Sequence, residues 1–368
     1  MQQRFNRRDS LKSLAALGAA GTLGGWSALA QAQSPITVGV IYVGPRDDYG
    51  YNQAHAAAAA ELKKMAGVKV VEEENVPETA AVQKTMTGMI KQDGASLLFP
   101  TSFGYFDPHI LALAPKNPDV RFAHCGGLWS EGKPKNVGSF FGYIDECQFL
   151  NGVIAGHMSK SKKIGFVAAK PIPQVLRNIN AFTLGVRRVN PNAQVQLVIT
   201  GDWSMPVREA EATNALISAG NDVIACHVDS PKVVIETAEK AGVKTCGHNA
   251  SQARLAPKGF ITGAENKWET VYKSFAADLA AGKKLPNRFF GGYDKDMVQS
   301  TPFGAGATDK ARNAAEAAIA ELKAGKPIWT GAVKSNTGKV VLDKGHDNYD
   351  PVLEKMDWLI EGVNGTLG

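Results

Sequence analysis

The sequence predicts an α/β fold of two doubly wound lobes joined by a hinge. From Ile36 onward, short apolar, β-branched runs alternate with amphipathic helical stretches, as in a parallel sheet covered by helices on both faces. This alternation runs through two successive stretches of similar size, without a readable sequence repeat. With 368 residues, 44% of them hydrophobic and 21% charged, the chain can build two hydrophobic cores.

The first 32 residues are predicted to be a twin-arginine signal peptide. Arg7 and Arg8 precede an apolar, glycine-diluted run at 13–30 that is too weakly hydrophobic for a spanning helix. Cleavage is expected between residues 30 and 33. No cysteine follows the run to be acylated, so we expect a mature protein that is free in the periplasm. The alternative is a cytoplasmic amphipathic helix with a chance arginine pair.

Charge and cysteine spacing narrow the possible partners. The leader holds four basic residues and one acidic residue, so its removal lowers the formal net charge from +6 to +3, which argues against nucleic acid. Without a C-x-x-C motif or a histidine at metal spacing, neither a metal site nor thioredoxin-like chemistry is expected. Cys226 and Cys246 end two strands predicted to be neighbours and could form a disulfide or remain buried thiols; pairing of Cys125 with Cys147 is also open.

The first series of elements opens with a strand at 36–42 and closes with one at 137–143. Between them we expect helices at 52–65, 78–92 and 107–114, and strands at 68–72, 96–99 and 121–124. The alanine-rich body of the first helix strongly favours helix formation.

The second series repeats this pattern. We expect helices at 146–158, 173–189, 207–219 and 232–241, and strands at 163–168, 194–199, 222–226 and 244–246.

The remaining pieces are too small for a third domain. They are a strand at 259–264, a helix at 267–281, an aromatic and glycine-rich segment at 289–306, a helix at 308–324, a β-rich tail at 333–342 and a final helix at 352–361. We expect them to cross back over the lobes as hinge strands and packing elements. The first lobe is predicted at 34–145 plus 261–285, and the second at 146–260 plus 286–368.

The loops that follow the predicted strands are rich in aromatic, amide and carboxylate side chains. Ligands of open parallel sheets bind outside the carboxyl ends of the strands. The candidate ligand-binding residues are Tyr51, Asn52, Phe103, Trp129, Trp203, Asp229, Asn249, Glu265, Asn266 and Trp268. Aromatic faces with a few edge donors and acceptors suit a planar heterocycle, although sugar and amino-acid sites use the same residue types.

Three segments resemble the basic membrane protein family of ABC-transporter substrate-binding proteins, whose studied members include purine nucleoside receptors. They are Asp48-Tyr49-Gly50-Tyr51-Asn52-Gln53, the stretch from Tyr143 to Gly156, and the stretch from Gly185 to Pro191. The resemblance runs from about Ile36 to Ala324. It implies a type I periplasmic-binding-protein fold, with two Rossmann-like lobes, three crossovers and a ligand in the cleft. The implied partners are a small-molecule ligand and an ABC permease with its cytoplasmic ATPase, and the implied state is a monomer.

The same resemblance bears on the ligand. The family's Phe-Asn pair falls on Tyr51 and Asn52, and an aspartate that holds ribose falls on Asn249. A ribose-binding lysine of the family has no clear match, because Lys267 is displaced. These departures favour a free purine base such as adenine or guanine over a nucleoside, with Trp203 or Trp268 as stacking partners.

Each candidate also has a purely structural interpretation. Tyr51 and Asn52 could cap the first helix, and Glu265 and Asn266 could be ordinary first-turn residues. The tryptophans could pack within lobes, and His227 and His248 could be loop histidines satisfied by backbone.

The function expected from these patterns is binding without catalysis and without a cofactor. No Gly-x-Gly-x-x-Gly follows the first strand, and no nucleophile elbow occurs. The alternatives are a ligand-loaded sensor partner of a membrane receptor and a periplasmic oxidoreductase, since twin-arginine export often carries cofactor-loaded enzymes.

Overall fold

Two open β-sheets, each flanked by helices, make up residues 35–367, which are the residues that the computed structural model describes. The predicted signal peptide, residues 1–32, lies outside this range. Within 35–367, no helix has both the length and the apolar character needed to cross a bilayer.

The first sheet is built mainly from the first part of the chain. Its elements in chain order are β1 (Ile36–Ile41), α1 (Tyr51–Leu62), β2 (Val68–Glu73), α2 (Ala80–Lys91), β3 (Leu97–Pro100), the short α3 (Leu111–Leu113), β4 (Arg121–Cys125) and β5 (Val137–Gly142). The strands pair in parallel in the order β2-β1-β3-β4-β5. The predicted strands are confirmed; the helix predicted at 107–114 is instead a series of short helical turns over 103–116.

The second sheet repeats the first. Its elements are α4 (Asp145–Met158), β6 (Lys163–Ala168), α5 (Pro173–Val189), β7 (Gln194–Ile199), α6 (Pro206–Ser218), β8 (Val223–His227), α7 (Lys232–Lys240), β9 (Lys244–Asn249) and β10 (Phe260–Asn266). The strand order β7-β6-β8-β9-β10 matches that of the first sheet. In this order the chain winds outward in both directions from the first strand, and ligands bind at that switch point, beyond the carboxyl ends of the strands.

The last quarter of the chain completes both sheets. It contains α8 (Trp268–Ala280), β11 (Arg288–Gly291), β12 (Val298–Ser300), α9 (Asp309–Lys323), β13 (Val333–Lys334), β14 (Val340–Leu342) and β15 (Val363–Asn364). Strand β11 lies parallel beside β5, β12 lies antiparallel beside β10, and β15 lies parallel beside β7. Strands β13 and β14 form a separate antiparallel pair.

The chain passes between the two lobes three times, at 142–145, 266–268 and 291–298. This assignment differs from the expected boundaries at 260/261 and 285/286. Strand β10 pairs with β9 and belongs to the second lobe, while β11 pairs with β5 and belongs to the first. The strand to which β10 or β11 is hydrogen-bonded decides the lobe to which it belongs. The sequence of a strand does not reveal this partner.

The predicted final helix at 352–361 is wrong. Only Leu353–Lys355 forms a short 3₁₀ turn. Farther along, the Asn180 side chain donates to the Trp358 carbonyl (2.8 Å) and accepts from the Ile360 N–H (3.0 Å). These bonds hold the tail in a non-helical path while Met356, Leu359 and Ile360 remain buried in the second lobe. The apolar spacing therefore reflects burial without a helix.

All four cysteines are buried free thiols, so the disulfide considered between Cys226 and Cys246 is not present, nor is one between Cys125 and Cys147. Cys226 packs in the core on one face of the second sheet with Ile224, whereas Cys246 packs on the other face with Val223. Side chains alternate between faces along a strand, so neighbouring strands can direct their thiols apart.

Candidate functional site

A cavity lies between the two lobes, at the carboxyl ends of both sheets. The first lobe and the end of β10 contribute Tyr51, Ser102, Phe103, Cys125, Gly126, Phe141, Gly142, Ile144, Asn266 and Trp268, and the rest of the second lobe contributes Gln174, Asn178, Trp203, His227, Asp229, His248 and Asn249.

Seven of the ten predicted site residues line this cavity. They are Tyr51, Phe103, Trp203, Asp229, Asn249, Asn266 and Trp268. The other three, Asn52, Trp129 and Glu265, are not among the residues that line it.

Asn52 supports the start of α1. Its side chain donates to the Asp48 carboxylate (2.8 Å), which also accepts from the backbone N–H groups of Gly50, Asn52 and Gln53 at 2.8–2.9 Å. Asp48 thus satisfies the free N–H groups at the helix N-terminus, and Asn52 fixes its orientation. Asn52 therefore acts beneath the cavity wall, and the residue that caps the helix is Asp48 rather than Asn52.

Trp129 and Glu265 face other surfaces. Trp129 lines a separate groove and donates its indole N–H to the Pro134 carbonyl (3.3 Å). Glu265 accepts hydrogen bonds from Gln299 and Thr301 and lines a different groove, to which Asn266 also contributes. Adjacent residues of a strand point to opposite faces, so only Asn266 of this pair reaches the cavity.

The aromatic wall of the first lobe is held rigidly. The Tyr51 hydroxyl donates to the Thr101 carbonyl (2.6 Å), which leaves its ring on the cavity side. Trp268 is only 2% exposed and stacks on His55 at 5.2 Å with an interplanar angle of 6°. Its indole N–H is buried and has no partner among the described residues. A buried donor without a partner costs free energy, so a ligand acceptor at this edge would be favourable.

Two neutral histidines line the second-lobe side. Burial lowers the pKa of His227 to about 3 and that of His248 below its usual value, the latter with a further contribution from His227. Asn178 donates to Nδ1 of His227 (2.8 Å), which leaves Nε2 of His227 as the protonated nitrogen. Gln148 holds Nδ1 of His248 in the same way (2.8 Å). The pair supplies N–H donors without positive charge.

Among the residues of 35–367 that line the cavity, Asp229 is the one with a carboxyl side chain. Burial, followed by the negative charges of Asp48 and Glu78, raises the pKa of its carboxyl well above the usual value. Among the described residues its carboxyl oxygens have no hydrogen-bond partner, although its backbone N–H and carbonyl are bonded to Trp203 and Tyr51. A carboxyl destabilised in this way gains from a ligand N–H.

The two amides at the ends of β9 and β10 form a pair. Asn266 Nδ2 donates to Asn249 Oδ1 (3.0 Å), which leaves Asn266 Oδ1 buried without a partner among the described residues. Lys267 is turned away and pairs with Asp296 (2.6 Å). In the described part of the chain, no lysine or arginine lines the cavity.

Gln174, Asn178 and Phe141 are cavity residues that the sequence reasoning missed. Gln174 and Asn178 lie four residues apart in α5, on one face of the helix. Phe141 lies at the end of β5. The rule that the strand ends and the following helix N-termini face the cleft could have identified all three.

The two lobes touch directly around the cavity. The Tyr51 N–H donates to the Asp229 carbonyl (2.9 Å), and the Ser230 hydroxyl donates to the Asp48 carbonyl (2.9 Å). The described structure is therefore a closed arrangement of the two lobes.

Metal chemistry has no support in this part of the chain. Within residues 35–367 no group of three His, Cys, Asp or Glu side chains is placed to hold a metal ion.

Known proteins resemble this chain over most of its length. The model of the Bmp family, described as ABC transporter substrate-binding protein PnrA-like, matches residues 36–312. A purine-binding protein of Brucella abortus is 33% identical over 341 residues, which are 92% of this chain and 95% of that protein. A putative ABC transporter glucose-binding protein of Haloferax volcanii is 28% identical, over 89% of this chain and 80% of that protein.

Solved structures support the fold. ABC transporter solute-binding proteins of Conexibacter woesei and Aeropyrum pernix have TM-scores of 0.66 and 0.69, at 23% and 18% identity. The matches cover 79% and 82% of this chain, and 97% and 93% of the respective structures. The predicted fold is confirmed, with two Rossmann-like lobes of the periplasmic-binding-protein type. The family consists of solute-binding proteins and is not an enzyme family. The chain belongs to the Bmp family of ABC transporter substrate-binding proteins.

Proposed function

We propose that the chain is the periplasmic substrate-binding protein of an ABC importer and that its interlobe cavity binds a purine base such as adenine or guanine. The main observation in support is the composition of the cavity wall. Aromatic rings lie there beside hydrogen-bond donors and acceptors that have no partner among the described residues. The donors are the Trp268 and His227 N–H groups, and the acceptors are Asn266 Oδ1 and the Asp229 carboxyl. A purine presents both flat faces and alternating edge donors and acceptors.

Departures from the two charged ribose contacts of the family support a base over a nucleoside. Asn249 stands where the family resemblance places a ribose-binding aspartate, and Lys267 pairs with Asp296. The purine-binding relative supports the same ligand class. The ligand would be bound without being chemically changed. A ligand that contacts both lobes stabilises their closed form, which a permease would then recognise.

The test is isothermal titration of the purified protein with adenine, guanine, adenosine and glucose. We expect one tight site for a purine base, weaker binding of adenosine, and no heat with glucose. Glucose is included because the Haloferax volcanii relative is described as a putative glucose-binding protein. Binding of glucose with no response to any purine would overturn the proposal. Mass spectrometry of the small molecule that co-purifies provides an independent answer.

A further inference from the structure

A second chamber adjoins the interlobe cavity in which the base is proposed to bind. The two spaces share Phe103, Gly126, Phe141 and Gln174 as wall residues. The second chamber is also lined by Gly127, Leu128, Ile172, Pro173, Arg177, Phe290, Leu353 and Glu354. It lies between the same two lobes, so a ligand that occupied both spaces would contact both lobes.

A single side-chain hydrogen bond stands at the boundary between the two spaces. Gln174 Nε2, on α5 of the second lobe, donates to the Gly126 carbonyl of the first lobe (2.9 Å). Both residues line both chambers. Gln174 is half-buried and has rotatable bonds, so its side chain can leave this hydrogen bond without movement of the backbone.

The wall of the second chamber is mainly apolar. Leu128, Phe141, Ile172 and Phe290 are half-buried, and each leaves apolar surface uncovered. A contact surface of this kind gains free energy when an apolar group covers it.

The two charged side chains of the second chamber each have at least one partner. Arg177 pairs with Asp145 (2.8 Å) and lies over the Tyr143 ring, and Glu354 accepts from the Tyr143 hydroxyl (3.1 Å). Arg177 Nη1 is the one buried wall atom of this chamber without a partner among the described residues. A ribose, with several hydroxyls to satisfy, matches this lining poorly.

We propose that the second chamber is a subsite for an apolar or aromatic substituent carried by the bound base, and that Gln174 controls the passage into it. This inference rests on the proposed function, because the base cavity must hold the purine from which the substituent extends.

The test compares adenine, N6-benzyladenine, 9-benzyladenine and adenosine by isothermal titration. We expect at least one benzyl isomer to bind within tenfold of adenine. Phe290→Trp, which adds volume only to the second chamber, should weaken that isomer at least tenfold relative to adenine. Ile172→Trp is a second variant with the same expectation, in case the first fails to fold. Val207→Trp, at a position that is 73% exposed on α6, is the matched control and should change neither ligand.

The gating role has its own measurement. Gln174→Ala should raise the affinity of that benzyl isomer relative to adenine at least threefold, because the passage no longer needs a side-chain rotation. An unchanged ratio would contradict gating by Gln174.

The outcomes separate the two proposals. If no purine binds, the proposed function fails. If adenine binds but both benzyl isomers bind more than tenfold weaker, or if Phe290→Trp and Ile172→Trp weaken adenine as much as the benzyl isomer, the subsite is overturned alone. A selective loss of adenosine in these variants would assign the chamber to a sugar and overturn the apolar class.

Discussion

At the scale of single residues, the cavity separates side chains that serve a ligand from those that serve the fold. Asp229 belongs to the first group, because burial raises the pKa of its carboxyl and no described residue bonds to its oxygens. Trp268 belongs to both groups, because it lines the cavity while its ring packs in the core of the first lobe.

Asp229→Ala should weaken adenine binding at least tenfold, about 1.4 kcal/mol, because the cavity loses its carboxylate acceptor. The thermal unfolding temperature of the ligand-free protein should stay the same or rise, because a carboxyl with a raised pKa is destabilised by burial. Titration calorimetry and ligand-free melting curves measure the two effects. Asp93→Ala, at a half-buried site just after α2 that does not line the cavity, is the control. Equal losses of affinity and stability would assign Asp229 a structural role.

Trp268→Ala should lower the free energy of unfolding by about 3–5 kcal/mol, because it removes a buried ring that stacks on His55. Trp268→Phe should retain most of that stability while still weakening adenine binding, because it keeps the ring and loses the indole N–H. Urea denaturation and calorimetry distinguish the two. Full adenine affinity in Trp268→Phe would show that the N–H does not bind the ligand.

At the scale of secondary-structure elements, the contact between α4 and α5 depends on two glycines. A Cβ on Gly152 would lie 2.0 Å from the Phe182 carbonyl oxygen, and one on Gly185 would lie 2.0 Å from the Phe149 carbonyl oxygen. Backbones this close leave no room for a methyl group. The two helices pack in the core of the second lobe, so their spacing also positions Gln174 and Asn178.

Gly152→Ala should therefore destabilise the protein by about 1–3 kcal/mol or more, because the helices must move apart. The matched control is Gly88→Ala in α2, where no atom beyond the adjacent residues and the backbone of its own helix lies within 4 Å of the added Cβ. The free energy of unfolding of that control should rise by up to about 1 kcal/mol, because alanine is the better helix former. Urea unfolding curves of the two variants should shift in opposite directions; a neutral Gly152→Ala would refute the close packing.

A buried carboxyl lies where α4 meets the third crossover. Glu146 accepts from the Tyr293 N–H (2.9 Å) and from Asn348 Nδ2 (3.0 Å), and burial raises the pKa of its carboxyl from 4.5 to about 7. Asp145 and Asp294 add to the increase. The folded state thus binds this proton more tightly than the unfolded state does.

The stability that this group contributes is fully present below pH 4.5 and is lost as pH rises toward 7. Relative to the wild type, Glu146→Gln should gain stability across that interval, by up to ~3 kcal/mol, and level off above it. The buried neutral histidines act in the opposite direction, since His55 and His227 have a pKa of about 3 and His124 has one of about 4. Urea unfolding of variant and wild type from pH 4.5 to 8 gives the difference between their free energies of unfolding. This difference reports the contribution of Glu146, because the histidines are the same in both proteins. If this difference in the free energy of unfolding did not change with pH, the raised pKa of Glu146 would be contradicted.

At the scale of the whole molecule, closure brings the backbones of the two lobes into contact. Gly50, at the start of α1, approaches the second lobe so closely that an added Cβ would lie 2.1 Å from the Asp229 carbonyl oxygen and 2.5 Å from Pro231 Cδ. Closure to this distance requires glycine at position 50.

Gly50→Ala should weaken adenine binding at least tenfold, because the lobes can no longer close fully around it. Small-angle scattering should show a smaller decrease in radius of gyration on adding adenine than in the wild type. Gly331→Ala, with open space around the added Cβ, is the control. Wild-type affinity in Gly50→Ala would show that binding does not need this contact.

Much of this architecture could be predicted from sequence alone. The strand and helix pattern, the two similar lobes and the family follow from local features, because the period of apolar residues reports which face of an element is buried. The loops after the strands also identified most of the cavity, since the carboxyl ends of parallel strands meet at one edge. Tyr51 and Trp203 could be placed there without knowledge of any contact.

Only the tertiary structure decided which strand belongs to which lobe. It also decided which of two residues adjacent in sequence lines the cavity. Strand β10 belongs to the second lobe through its bonds to β9, and the tail at 352–361 is non-helical because Asn180 binds its backbone. Asn52 lies beneath the cavity wall and Glu265 faces away from it, although both adjoin residues that line the cavity. These outcomes depend on contacts between residues far apart in the chain, which local periodicity does not encode.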